Sequence, residues 1–167
     1  MTVLDPEVIF GTLSQHRVEY VLIGGLAAVL HGSPLPTLDA DICPARHPEN
    51  LTRLAAALVD LDARIRTPDT PGGVPFARDA RFLASVDLLN LVTRAGDLDI
   101  AFLPAGGVDY TALVTRARPV RVRDVTIPVA ALEDVIRSKE AANRPKDQRT
   151  LPVLRQLLAE LQRRGRE

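Results

Sequence analysis

Apolar positions near the N-terminus recur at helical spacing. Val8, Ile9 and Leu13 share one face, and Asp5 followed by Pro6 is a start signal, so a helix is predicted over 5–16. The run Glu19-Tyr20-Val21-Leu22-Ile23 reads as a buried strand halted by Gly24-Gly25. Leu26 to Leu30 reads as a short apolar helix ended by His31-Gly32, and Ser33-Pro34-Leu35-Pro36 as a loop. A strand is predicted over 37–43 and an amphipathic helix over 48–61, with Leu51, Leu54, Ala55 and Leu58 on one face. The Pro- and Gly-rich stretch 67–76 reads as a mobile loop. Strands are predicted over 82–93 and 98–102, hairpinned at Ala95-Gly96-Asp97. A short helix over 110–116, a small hairpin over 120–129 turning near Asp124, and helices over about 130–143 and 148–164 complete the pattern. It predicts an α/β (α+β) fold: a mixed sheet flanked by helices, with a C-terminal helical segment. No internal repeat or low-complexity tract interrupts it, so residues 1–167 read as one domain, with the core sheet in 17–104 and the terminal helices in 130–164.

Composition narrows the class. The single cysteine, Cys43, excludes an intrachain disulfide and a cysteine zinc cluster, and reads as a small core residue. No apolar run approaches the ~18 residues of a membrane span, and the N-terminus lacks a basic signal-peptide region. A soluble cytoplasmic protein is expected. The net charge of zero hides an asymmetry. Residues 1–110 carry 14 acidic and 8 basic side chains, whereas 111–167 carry 7 and 13. An acidic half joined to a basic half suits a metal site facing an anionic substrate, although a solvated basic helix explains the excess equally well. Of 21 basic residues only Lys139 and Lys146 are lysine. Their confinement to one segment hints at a need for a compact ammonium there.

The candidate chemistry begins at Asp39 and Asp41. Two apart on a strand, their carboxylates share a face, which is costly unless a cation joins them. Oxygen-only ligands suit Mg²⁺ or Mn²⁺, and Asp99 at a neighbouring strand can complete a carboxylate set of the kind that clamps two metals in phosphoryl transfer. Surface strand residues are the plain alternative. Upstream, Gly24 and Gly25 follow a buried strand and open a helix, where glycines admit a phosphate close to the backbone. Leu132, Val135, Ile136 and Lys139 fall at i, i+3, i+4 and i+7, so Lys139 continues a buried helix face. Its ammonium then either pairs with a carboxylate as a structural bridge or meets a nucleotide's phosphates. Arg144 and Lys146 can extend that anion site, and Asp147 can cap the next helix. His31 reads as a cap or packing residue. Ser33 lacks a hydrolase context, and Leu151, Leu154, Leu158 and Leu161 form a stripe that suits a core or a partner interface.

The run Gly24-Gly25-Leu26-Ala27-Ala28, His31-Gly32-Ser33-Pro34 and Thr37-Leu38-Asp39-Ala40-Asp41 resembles the polymerase-β-type nucleotidyltransferase superfamily. Within it, the chain resembles the small bacterial AbiEii-like and MenT-like proteins of toxin–antitoxin systems. Gly96-Asp97-Leu98-Asp99-Ile100 is similar to the segment that gives the superfamily its third carboxylate, and residues 138–147 resemble the subgroup's lysine helix and Arg-Lys-Asp turn. The resemblance covers roughly residues 17–155. It implies the nucleotidyltransferase fold and metal-dependent transfer of a nucleoside monophosphate (NMP) from a nucleoside triphosphate (NTP), with pyrophosphate released. Asp39, Asp41 and Asp99 would hold Mg²⁺ or Mn²⁺, with Asp99 also helping to deprotonate the acceptor. Gly24, Gly25, Lys139, Arg144, Lys146 and Asp147 would bind the nucleotide, and Asp147 would serve the reaction. The implied acceptor is RNA, such as tRNA, or a protein, the cognate toxin or antitoxin. Relatives usually carry Arg two residues before the Thr of the Asp-x-Asp motif; here Leu35 removes that cation from the lip of the site. That departure supports an alternative, a non-catalytic nucleotide- or partner-binding module with the same fold. An antitoxin that nucleotidylates its toxin and an antibiotic-modifying enzyme are further alternatives.

Overall fold

A computed structural model describes residues 2–166. It opens with α1 (Pro6–Gln15), β1 (Tyr20–Ile23), α2 (Gly24–Leu30), β2 (Asp39–Pro44) and α3 (Pro48–Asp60). β3 (Arg64–Thr67), β4 (Thr70–Val74), α4 (Ala80–Ala84), β5 (Leu88–Thr93) and β6 (Gly96–Ala101) follow, then α5 (Tyr110–Val114), β7 (Arg118–Val122) and β8 (Val125–Val129). The chain closes with α6 (Leu132–Ala142) and α7 (Pro145–Arg164). Asp5 caps α1 by accepting from the Val8 N–H, as its position predicts.

The strands form one mixed sheet in the order β4-β3-β5-β6-β2-β1-β8-β7. β2 runs antiparallel to β1 and parallel to β6, and β8 joins β1 in parallel at Leu22↔Val129. The sheet therefore extends past 17–104 to include the β7–β8 hairpin. α1 packs on β8 and α3, while α2 packs on β1, β2 and α6, and α7 packs on α6. Along β5 and β6 one face is core (Leu89, Leu91, Leu98, Ile100) and the other is open, the alternation of a half-covered sheet. Among the described residues no helix is long and apolar enough to cross a membrane.

Three predicted elements are corrected. The stretch 67–76 is not a mobile loop but mostly the β3–β4 hairpin; Gly73, at φ +77°, lets the β4 backbone lie against Arg64 and Val92, where a Cβ would have no room. The strand predicted over 82–93 is α4 followed by β5. Asp79 starts the helix by accepting from the Phe82 N–H at 2.8 Å, a capping signal that outweighs the local apolar run. α7 begins at Pro145 rather than 148, because Asp147 sits in its first turn and reaches back to the Arg144 N–H instead of standing ahead of the helix.

Candidate active site

β2 carries Asp39 and Asp41 outward while Ala40 and Ile42 between and beyond them are fully buried. In the parallel ladder Asp39 faces Asp97 and Asp41 faces Asp99. One carboxylate oxygen each from Asp39, Asp41 and Asp99 falls within 4.8 Å of the others. Packing like charges this closely in a half-buried site makes them reluctant acids. Burial first, then Asp39 and Asp99, raise the Asp41 carboxyl to about 7. Burial also raises Asp99, opposed by the Arg66 guanidinium and supported by Asp39, to about 6. An oxygen-only trio of this kind has the donor chemistry of a Mg²⁺ or Mn²⁺ site.

Gly24 takes φ +72°, and a Cβ there would lie 2.8 Å from Asp41 Cγ. The glycine is therefore required both by backbone conformation and by the carboxylate packed against it. At Gly25 a Cβ would meet the Thr37 hydroxyl at 3.0 Å. That hydroxyl donates to the Asp39 carbonyl (3.2 Å), which ties the loop before β2 to the metal-type carboxylates. Ser33 shapes the same loop by accepting from the Leu35 N–H. These residues line a cavity of about 740 Å³.

The opposite wall is cationic. Lys139, Arg144 and Lys146 all line the cavity, and the two lysines act on Asp41 through space, lowering its affinity for a proton. Lys139 is largely buried, as its helix face predicts, with Nζ 3.6 Å from Asp147 Oδ1. Asp147 is fully buried and stands behind this wall, outside the cavity lining. It accepts from the Arg144 backbone N–H (3.1 Å) and from Arg144 Nε (2.8 Å) and Nη2 (3.3 Å). Burial pushes its carboxyl up, but these bonds outweigh burial and hold it below the ordinary range. Both sequence readings of Lys139 thus meet in one place: it is paired, yet its partner is already satisfied by Arg144.

Arg66 escaped the sequence reading because it borders the stretch taken for a loop. From β3 it reaches across β5 to donate to Asp99 Oδ1 (2.7 Å), lies 3.2 Å from Asp97 Oδ2, and donates to the Leu91 carbonyl. The alternation Arg64-Ile65-Arg66-Thr67 was its only signal. Asn90, opposite Asp99 in the β5–β6 register, also lines the cavity. Asp134 is buried and held by Arg116 and by Arg137 at 3.6 Å. His31 closes α2 and donates from Nε2 to the Ala130 carbonyl (2.7 Å), the cap role expected of it. Cys43 is fully buried. Of the leucine stripe, Leu151 and Leu154 are core, whereas Leu161 is exposed.

No family model and no curated protein sequence matches the chain. Solved structures do. A Thermotoga maritima protein, TM1012, provisionally described as a nucleotidyltransferase, superposes with a TM-score of 0.55 at 20% identity, covering 95% of this chain and 97% of its own. The lincosamide antibiotic adenylyltransferase LnuA, in its lincomycin-bound structure, superposes with a TM-score of 0.59 at 16% identity, covering 93% of this chain and 99% of its own. At such identities the likeness speaks for architecture, and over nearly the whole length of both neighbours that architecture is the nucleotidyltransferase fold.

Proposed function

We propose that the chain is a metal-dependent nucleotidyltransferase that moves an NMP from an NTP to an acceptor hydroxyl, with pyrophosphate as the other product. The observation that carries this reading is the convergence in one cavity of Asp39, Asp41 and Asp99 with a wall of Lys139, Arg144 and Lys146. Asp39, Asp41 and Asp99 would hold a divalent ion such as Mg²⁺ or Mn²⁺. When bound, that ion supplies charge neutralisation of the phosphate oxygens. Gly24 and Gly25 leave the backbone bare where the phosphates approach. Lys139, Arg144 and Lys146 offset the charge of the triphosphate and of departing pyrophosphate. Asp147 fixes Arg144 and Lys139 from behind. Asp99, besides sharing the ion, would take the acceptor's proton. The remaining contribution is positioning, the dominant device in phosphoryl transfer.

Because α6 and α7 supply this cationic wall, the terminal helices belong to the same catalytic unit as the sheet. An NTP substrate is consistent with a cytoplasmic setting. The sequence resemblance supports RNA or a partner protein of a toxin–antitoxin pair as acceptor, whereas the LnuA neighbour modifies an antibiotic. A second reading, a nucleotide-binding module without turnover, draws support from Leu35 and from the Arg66 guanidinium resting on Asp99.

Thermal melting of the purified protein with each NTP, with and without Mg²⁺ or Mn²⁺, tests the proposal. Metal and NTP together raise Tm more than either alone, since ligands that bind only the folded state stabilise it. Release of pyrophosphate, lost in Asp39→Asn and Asp41→Asn, then separates enzyme from binding module. Flat melting curves with all four NTPs and metal would refute both readings.

A further inference from the structure

Asp97 stands beside the carboxylate trio without a place in it. It precedes Asp99 by two residues on β6, so both side chains leave the same face of the sheet. It faces Asp39 across the parallel ladder, yet it lies outside the cavity lining. Arg66 reaches both acids. Its Nη2 donates to Asp99 Oδ1 at 2.7 Å, while Nη1 lies 3.2 Å from Asp97 Oδ2 and donates to the Leu91 carbonyl at 3.3 Å. Among the described residues no other cation pairs with either carboxylate.

The two contacts are unequal. The one to Asp99 is shorter, and the Asp99 side chain is 15% exposed against 33% for Asp97. A guanidinium keeps its charge throughout the pH range of a folded protein, so Arg66 can leave Asp99 only by moving. Asp99 turns an oxygen toward Asp39 and Asp41, and any cation held by that trio repels one already bonded to Asp99. Asp97 lets the side chain move while β3 stays in place. Nη1 is already beside it, and the Leu91 carbonyl holds that end of the fork.

Resting on the metal-dependent transfer reading above, we propose that Arg66 is a displaceable counter-ion with two berths, Asp99 in the bare protein and Asp97 in the metal-loaded one. On Asp99 it offsets the mutual repulsion of the trio and competes with the divalent ion for the third carboxylate. On Asp97 it is out of the way. Asp97 is then a positioning residue: it holds no ion, but it sets how readily the site loads. A purely structural bridge between β3 and β6 has the opposite consequence, because its loss would loosen the frame around Asp99 and weaken loading.

The test titrates Mn²⁺ alone into the intact protein and reads free Mn²⁺ by its electron paramagnetic resonance signal. It compares the parent, Arg66→Gln, Asp97→Asn and the double variant, with metal-free melting to verify folding. Arg66→Gln should bind Mn²⁺ about threefold or more tighter than the parent, and Arg66→Met, uncharged and of similar reach, should do the same. Asp97→Asn should bind it about threefold or more weaker, because the guanidinium is left with one berth. The double variant should match Arg66→Gln within about twofold. Binding no tighter in Arg66→Gln and Arg66→Met overturns the counter-ion. Unchanged affinity in Asp97→Asn overturns the second berth. So does a loss that recurs in full in the double variant, since Asp97 then acts through its own charge and not through Arg66. Mn²⁺ binding that is absent from every variant, or that survives Asp41→Asn, overturns the metal-dependent reading itself. Binding that needs Asp41 but ignores Arg66 and Asp97 overturns only the counter-ion.

Discussion

Gly24 and Asp41 fit each other so closely that a Cβ on the glycine would stand 2.8 Å from the Asp41 Cγ and 3.0 Å from its Cβ. Gly24 also holds φ at +72°, a region that costs other residues roughly 1–2 kcal/mol. Gly24→Ala is therefore expected to lower Tm by ~4–8 °C, taking about 2 kcal/mol at 2–4 °C each for a chain of this length. It should also displace Asp41 and remove divalent-ion binding. Gly25→Ala, with ordinary backbone angles and only the Thr37 side chain to meet, should melt within ~2 °C of the parent. Calorimetry with a Mn²⁺ titration distinguishes the two.

The carboxylate cluster makes the metal-free protein sensitive to pH in an unusual direction. Asp41 at about 7 and Asp99 at about 6 both lie above the 3.8 of an exposed aspartate, so the folded state binds more protons than the unfolded chain between those values. Their contribution to stability is present at the acid end of that window and is lost as pH rises through 6 and 7. In chelator, Tm should climb as pH is lowered from 8 toward 5. Asp41→Asn should flatten this slope and raise Tm at pH 8 by ~2–8 °C, the equivalent of about 1–2 kcal/mol. A metal-free Tm that falls steadily from pH 8 to 5 in the parent would show that the trio does not repel.

Lys139 is paired but not indispensable to its partner. Asp147 keeps three bonds from Arg144 when the ammonium at 3.6 Å is removed. Lys139→Ala should accordingly lose no more than about 1 kcal/mol of metal-free stability, or ~2–4 °C. NTP affinity should fall tenfold or more, about 1.4 kcal/mol. Arg144→Ala removes two of the three bonds and leaves the fully buried Asp147 carboxylate with the backbone N–H at that position and Lys139 at 3.6 Å, so it should cost more stability than Lys139→Ala, about 3 kcal/mol. Melting and NTP binding measured on both variants decide the assignment.

Arg66 lowers the proton affinity of Asp99, against burial and Asp39. In Arg66→Ala the Asp99 carboxyl should titrate above its present value of about 6. Carbon-detected NMR of the aspartate carboxyls reads this directly. An unmoved Asp99 resonance would mean that the Arg66 contact is not populated in solution.

How much of this was legible in the sequence depends on the range of the interaction. Asp39 and Asp41 were readable because a strand's two-residue period alone puts them on one face, and Lys139 because three apolar neighbours fix its helix face. Asp99 was readable only as a candidate, since the register Asp41↔Asp99 is a long-range fact. Arg66 was not readable. Gly72, Gly73 and the prolines around β4 resemble loop composition, and nothing local reveals that Gly73 is needed for close strand packing or that the neighbouring arginine spans two strands. Asp147 was seen as a cap but placed one turn too early in the helix, because Pro145 as the first helical residue shifts the start.

The β3–β4 hairpin closes one edge of the sheet and is held to β5 by a short register of Arg64↔Val92 and Ile65↔Leu91. Arg66 makes this thin margin a party to the charge balance of the centre. When Asp99 is drawn to a cation of its own, the guanidinium loses its strongest anchor, and the hairpin loses part of what fastens it. Amide protons of 64–74 should then exchange with solvent faster in the loaded protein than in the bare one. The outer edge of the sheet would thus carry a readable signal of occupancy at the carboxylates.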